Sequence, residues 1–347
     1  MGEVGGRNMN EKVDTTLISK DYFPKEIKID ETKIFPMVVV ATMSSGKSTL
    51  INALLGKEIL PSSNRACTAL RYSILDDDGE SQEVICVTNV DGTVKVIKEN
   101  LAEELETIND SDSVENVFLK AHIGGVLNTD KALLVADTPG PNNSSEESHE
   151  KALLDTLDKV NGGMILYVLN ASQIGIYDDR KLLKIIKVTL DKKPKLKVVF
   201  ALNKIDVLDE EYESVEEMVR MARDYIVESG FDNVDIIPVS AVSALLFKKV
   251  LAGDKLTRRE CAEFESLYEL FEPRDYNMHR YALTEKSVNQ NNVIEMNGNK
   301  YKVADLCQAV ENTGITLLEK YIQKAQILSS EPINNKVKVK ITKEKTI

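Results

Sequence analysis

Nine residues constrain this chain more than any others: Ala41-Thr42-Met43-Ser44-Ser45-Gly46-Lys47-Ser48-Thr49. They close a run of apolar and β-branched residues at 37–42, the pattern of a buried parallel strand. They open a stretch whose Leu50, Ile51, Leu54 and Leu55 share one helical face and which Gly56 stops. Small residues between a strand and a helix let successive backbone N–H groups turn toward an anion, and the helix adds its positive end. The spelling therefore predicts a phosphate-binding loop made by Ser44, Ser45, Gly46, Lys47, Ser48 and Thr49. Lys47 is expected at the β and γ phosphates of a nucleotide, and the Ser48 hydroxyl on Mg²⁺. Ala41 stands where the pattern normally opens with glycine.

Further apolar runs at 132–136, 164–169, 197–202 and 234–239 alternate with helical text. That alternation predicts an α/β fold of the P-loop class, with a mostly parallel central sheet and helices on both faces. Residues 1–35 read as a polar N-terminal arm and 36–242 as the core. Within the core, residues 77–130 read as an insertion with a hairpin at 85–97 turning at Asp91-Gly92, a helix at 101–108 and a strand at 117–123. A second added segment, 243–313, holds the capping-box spelling Thr257-Arg258-Arg259-Glu260 and a hairpin pattern at Asn297-Gly298. An amphipathic helix at 314–330 closes the domain, and residues 331–347 form a lysine-rich tail. That tail alternates lysine with β-branched residues, as a lipid-contacting strip, a protected edge strand or a frayed end would.

Three more motifs fall at strand ends. Asn203-Lys204-Ile205-Asp206 places a carboxylate where it accepts two hydrogen bonds from guanine N1–H and N2–H₂, donors that adenine does not offer. Asn203 is expected near guanine N7, with the Lys204 stem over the ring. Ser240 and Ala241, in Pro238-Val239-Ser240-Ala241, suit a backbone contact to guanine O6. Asp137-Thr138-Pro139-Gly140 places Asp137 on Mg²⁺ through a water and the Gly140 N–H on the γ phosphate, so the residues that follow become a nucleotide-sensitive switch. Thr68, 20 residues after Ser48, has the spacing of a threonine that completes the metal's coordination. Guanosine triphosphate or diphosphate is the expected ligand.

Composition sets limits. Apolar residues are 42% of the chain and charged residues 29%, enough for a real core. The net charge of −12 argues against generic nucleic-acid binding, which needs cations for the phosphates. Cys67, Cys86, Cys261 and Cys307 are scattered without a CxxC pair and read as reduced thiols. No apolar run has the length of a membrane span, and Gly6 stands where a myristoylation signal wants Ser or Thr. A cytoplasmic protein is expected.

The string 44–56, with Pro61, Cys67-Thr68-Ala69, Asp137-Thr138-Pro139-Gly140 and Asn203-Lys204-Ile205-Asp206, resembles the GTPase domain of bacterial dynamin-like proteins over residues 35–242. The resemblance implies a slow, Mg²⁺-dependent GTPase whose domains pair face to face across the nucleotide as a homodimer. It also implies, by kinship alone, peripheral association with a membrane. In small GTPases the residue after Asp-x-x-Gly is a water-orienting glutamine. Here it is Pro141, and dynamin-like enzymes instead use P-loop groups and a bound monovalent cation, K⁺ or Na⁺. Ser44 matches their cation-positioning serine, whereas Met43 replaces the glutamine beside it in eukaryotic members. Arg65 precedes Thr68 by three residues, the offset of the in-cis arginine of heterotrimeric G-protein α subunits. It is a candidate to neutralise the transferred phosphoryl group, against the plainer reading of a surface arginine. Ser44, Thr68, Gly140 and Arg65 are thus the candidate catalytic set.

Two other functions compete. Pro141 and Met43 favour a nucleotide-gated binding module with negligible hydrolysis of its own. An Era-type ribosome-associated GTPase predicts a basic RNA-binding domain, and 243–313 lacks basic residues interleaved with aromatics. The chain leaves no length for the stalk and lipid-touching tip of a membrane-remodelling dynamin. It reads either as a piece of a longer protein or as a compact member.

Overall fold

The computed structural model describes residues 16–23, 29–61, 71–76, 78, 84–97, 101–109, 111, 113–138, 146–208, 213–232, 234–271, 293–296 and 299–330. The central strands are β1 (Ile34–Ala41), β6 (Ala132–Asp137), β7 (Gly163–Asn170), β8 (Leu196–Asn203) and β9 (Ile236–Val239), all parallel to one another. Every residue of β1 and β7 is buried, as strands covered on both faces must be. β2 (Arg71–Asp76) pairs antiparallel with β6. The insertion supplies β3 (Val84–Asn89), β4 (Val94–Ile97), α2 (Leu101–Asn109) and β5 (Val114–Ala121).

These inserted strands do not form a lobe of their own. They extend one nine-stranded sheet in the order β4-β3-β5-β2-β6-β1-β7-β8-β9. The hydrogen-bonding edge of β2 is thereby covered by β5, which pairs with it in parallel, rather than left to solvent.

Among the helices, α1 (Lys47–Leu55) follows β1, α3 (Glu146–Lys159) links β6 to β7, α4 (Tyr177–Lys192) links β7 to β8, and α5 (Val215–Glu228) links β8 to β9. Right-handed crossovers running one way along the sheet place α3, α4 and α5 on one face. α1 runs the other way and lies on the opposite face with α6 (Ala241–Ala252) and α9 (Ile315–Ser330). The remaining elements are α7 (Arg258–Phe271), the hairpin β10 (Val293–Met296) and β11 (Asn299–Lys302), and α8 (Val303–Asn312).

The expected capping box forms at the start of α7. Thr257 N–H donates to Glu260 Oε2 at 2.7 Å, and Glu260 N–H donates to Thr257 Oγ1 at 3.3 Å. An aromatic cluster of Phe247, Phe264, Tyr268, Phe271 and Tyr301 holds α6, α7 and β11 together through edge-on and stacked rings.

The boundary read between residues 35 and 36 falls inside β1. Upstream of it, Leu17, Ile18 and Phe23 are buried, and Ile18 makes an antiparallel bridge to Val160. Apolar side chains spaced irregularly in polar text carry no periodic signal, yet they reach the core here. No described helix is long and apolar enough to cross a membrane.

Candidate functional site

The site is built by loops at the carboxyl ends of adjacent parallel strands, where open α/β sheets bind their ligands. Strand register brings them together: Val39 of β1 lies beside Asp137 of β6, and Asn203 of β8 lies between Asn170 of β7 and Val239 of β9.

The loop after β1 is held from within. Ser45 Oγ donates to the Thr42 carbonyl at 2.8 Å and lies 2.9 Å from Thr42 Oγ1. Ser44 adopts φ +60° and Gly46 φ +84°, so consecutive peptide units turn sharply before α1 begins at Lys47. A β-carbon on Gly46 would lie 2.4 Å from Asn203 Nδ2, which makes glycine obligatory there. Lys47 Nζ is ion-paired with the Asp137 carboxylate. Burial raises the Asp137 carboxyl group above its ordinary range, and Lys47 pulls it back. Ser48 and Thr49 are half-buried in the first turn of α1. Thr138 Oγ1 donates to the Val39 carbonyl at 2.8 Å, fastening the end of β6 to β1.

The loop after β8 meets the first from the other side. Asn203 Nδ2 donates to the Ser45 carbonyl at 2.8 Å, and Asn203 Oδ1 accepts the Ala241 N–H at 3.0 Å. Asn203 therefore braces three loops, a role that its motif alone did not reveal, and the Ala241 N–H expected at guanine O6 is directed to it. Lys204 adopts φ +68°, in the left-handed region that few non-glycine residues occupy. Ser240 Oγ donates to Asp206 Oδ1 at 2.5 Å and fixes that carboxylate. Burial raises the Asp206 carboxyl, and the Ser240 hydroxyl and Lys204 lower it again. Behind this loop, Ser240 N–H donates to the Thr313 carbonyl at 2.9 Å, between α8 and α9. Nothing in the sequence around Thr313 signals that contact.

Ser44, Ser45, Gly46, Lys47, Ser48, Thr49, Asp137, Asn203, Lys204, Asp206, Ser240 and Ala241 are thus brought to one rim of the sheet. Arg65, Thr68, Gly140 and Pro141 lie outside the described residues. The donor set suits Mg²⁺, a hard cation that takes oxygen ligands: a buried Asp137 carboxylate faces the turn that carries the Ser48 hydroxyl. Asp137 also borders a cavity of about 410 Å³ lined by Tyr22, Arg71, Ser73 and Thr156 among others. Tyr22 shares a 2.9 Å hydrogen bond with Ser73 there, and burial pushes its phenol up to about 12.

Residues 37–205 match the model of the dynamin family. The clamp-binding protein CrfC of Escherichia coli strain K12 is 43% identical over 54 residues, 16% of this chain and 7% of that protein. An uncharacterized protein in the xynA 3′ region of Caldicellulosiruptor sp. is 25% identical over 235 residues, 67% of this chain and 55% of that one. The chain thus spans well under two thirds of the length of either relative. Among solved structures, an oligomerised bacterial dynamin pair aligns at 20% identity over 67% of this chain and 38% of its own, with a TM-score of 0.46. Era of Aquifex aeolicus, bound to GDP·AlF₄⁻, aligns at 17% identity over 70% of this chain and 69% of its own, with a TM-score of 0.36.

Proposed function

We propose, from the match of residues 37–205 to the dynamin-family model, that this chain hydrolyses GTP to GDP and phosphate. We further infer that hydrolysis needs Mg²⁺ and accelerates when two such domains pair across the nucleotide. The observation that carries the reading is the joining of a phosphate loop and a base loop by Asn203, with Asp206 held ready by Ser240.

Each residue has a role in this reading. The loop N–H groups from Ser44 to Thr49 cradle the phosphates, and Lys47 turns from Asp137 to the β and γ phosphate oxygens. That exchange would free the Asp137 carboxylate, and Ser48, Thr68 and, through a water, Asp137 are the residues that would hold Mg²⁺. Mg²⁺, when bound, neutralises the charge that develops on the phosphate oxygens. In this reading the Gly140 N–H would hold the γ phosphate and Arg65 would counter charge on the transferred group. Ser44, exposed and at positive φ, is the residue this reading assigns to a monovalent cation, K⁺ or Na⁺. Asp206 selects guanine, because an adenine in its place would leave the carboxylate unpaired. Peripheral membrane contact rests on kinship and remains secondary to the nucleotide chemistry.

One observation favours a second reading. Met43 is 50% exposed at the tip of the phosphate loop, where a thioether cannot position water, as a nucleotide-gated binding module would allow. Hydrolysis per molecule should be measured against protein concentration, in K⁺ and in Na⁺, with light scattering of the GDP·AlF₄⁻ complex. The GTPase reading expects turnover to rise with concentration and the complex to double in mass. Negligible turnover at every concentration with either cation would select the binding module.

A further inference from the structure

A second cluster of chemistry-bearing side chains lies at the opposite rim of the sheet from the nucleotide loops. β2 runs antiparallel to β6, with Tyr72 beside Asp137 and Leu75 beside Leu134, so the carboxyl end of β2 points away from that site. β5 runs parallel to β2, with Asp76 beside Ala121. The residues that leave these two strands, Asp78 and His122, are therefore neighbours by register. One ligand atom from each of Asp76, Asp78 and His122 can be chosen so that all lie within 4.8 Å of one another.

The Asp76 carboxylate is the anomaly. Its residue is 1% exposed, and only one of its oxygens is satisfied. Oδ1 accepts the N–H groups of Asp78 and Ile123, each at 3.1 Å. Oδ2 is buried with no hydrogen-bond partner. A buried, unpaired carboxylate oxygen is costly, and burial accordingly raises this carboxyl to about 6. His122 Nδ1 stands 3.6 Å from Asp76 Oδ1, and its ring is 45% exposed and free to adjust. Asp78 Oδ1 accepts the Asn128 N–H at 3.1 Å, which leaves its other oxygen for a ligand.

We propose that Asp76, Asp78 and His122 bind a divalent transition-metal ion of the Zn²⁺ or Mn²⁺ class. Two carboxylates and one imidazole suit such an ion, whereas Mg²⁺ and Ca²⁺ prefer all-oxygen sites. Three protein ligands leave positions for water. Closing the ligand atoms onto a cation requires a small movement of the exposed imidazole, and the buried carboxylate supplies a fixed anchor.

The site has a structural consequence. Asn128, which holds Asp78, also donates from Nδ2 to the Asp76 carbonyl at 3.1 Å and accepts from Gln326 Nε2 of α9 at 3.1 Å. Within the same loop, Gly125 lies directly against the Glu319 side chain of α9. Metal binding therefore fixes the segment 122–128 on which α9 rests.

The test is calorimetric titration of the full chain with Zn²⁺ and separately with Mn²⁺, in excess Mg²⁺·GDP so that the nucleotide site is filled. Hydrogen exchange of 122–128 and α9 is followed in parallel. One equivalent should bind, protection should rise in both segments, and His122→Ala should weaken affinity by about tenfold or more. Asp76→Asn, which keeps the shape of the side chain, should abolish binding. Absence of saturable binding by either ion would overturn the proposal. So would Zn²⁺ binding that survives unchanged in His122→Ala, an exposed position whose substitution leaves the fold intact, because the ion would then sit on other groups such as the thiols.

Discussion

Asn203 Nδ2 donates to the carbonyl of Ser45 at 2.8 Å across a separation of 158 residues, so the loop after β8 and the loop after β1 are one mechanical unit. Both residues are buried, and the same asparagine accepts the Ala241 N–H. Asn203→Ala would leave a buried carbonyl and a buried N–H unpaired, at about 1–3 kcal/mol each. Guanine-nucleotide affinity is expected to fall roughly 10- to 100-fold by calorimetry. An affinity equal to the parent's would show that the brace is irrelevant to binding.

Lys47 and Asp137 form a pair that has two uses. Lys47→Met would strip the cation from a carboxylate that stays buried, destabilising the protein by about 3 kcal/mol in urea unfolding without nucleotide. Adding Asp137→Asn should return most of that stability, because the uncompensated charge is gone. It should not return nucleotide binding. Recovery of both would mean that Lys47 serves the fold alone.

Gly125 matters through its neighbour on α9. A β-carbon there would meet the Glu319 carboxylate at 2.0 Å, and Glu319 is buried and paired with Lys248 at 2.5 Å. Lys248 also donates to the Ala53 carbonyl at 2.7 Å, near the end of α1. Gly125→Ala is expected to cost about 1–3 kcal/mol by overpacking. Gly125→Ala with Glu319→Ala should cost less than the sum of the two single changes, measured by chemical unfolding. Strict additivity would show that the two positions do not meet.

Glu260 gives a pH signature. Burial opposes its ionisation, but hydrogen bonds from Lys249 and from the Thr257 N–H and hydroxyl hold its carboxyl down to about 2 from 4.5. Between those values the unfolded chain takes up the proton and the folded chain does not, so stability is complete above pH 4.5 and falls as pH drops toward 2. Glu260→Gln keeps an oxygen for the Thr257 N–H but loses the charge-assisted bond from Lys249, so it should lower stability by about 1 kcal/mol at neutral pH and weaken the acid dependence over that window. An unaltered slope below pH 4.5 would assign the acid sensitivity to other carboxylates.

Much of this site could be read from the residues in order, for a physical reason. Phosphate loops and base-recognition loops are local solutions, in which consecutive residues at a strand end do the work. Hence Gly46-Lys47-Ser48 and Asn203-Lys204-Ile205-Asp206 stand out in the residue order as candidates, and the Asp91-Gly92 hairpin and the Thr257–Glu260 box form where the residues predict them. Contacts between remote residues leave no such mark. Nothing near Thr313 reveals that its carbonyl receives the Ser240 N–H, and nothing in 16–23 foretells Ile18 bridging to Val160. The inserted strands were legible as strands, but their joining of the main sheet through β2 and β5 depends on an edge that only the assembled sheet possesses.

Binding of GDP and of ADP to the same protein, compared by calorimetry in Mg²⁺, tests the account at its centre. If the Asp206 carboxylate fixed by Ser240 reads the guanine edge, GDP should be preferred by about 10⁴-fold, and Asp206→Ala should erase most of that preference. Equal affinities for GDP and ADP in the parent protein would contradict the account.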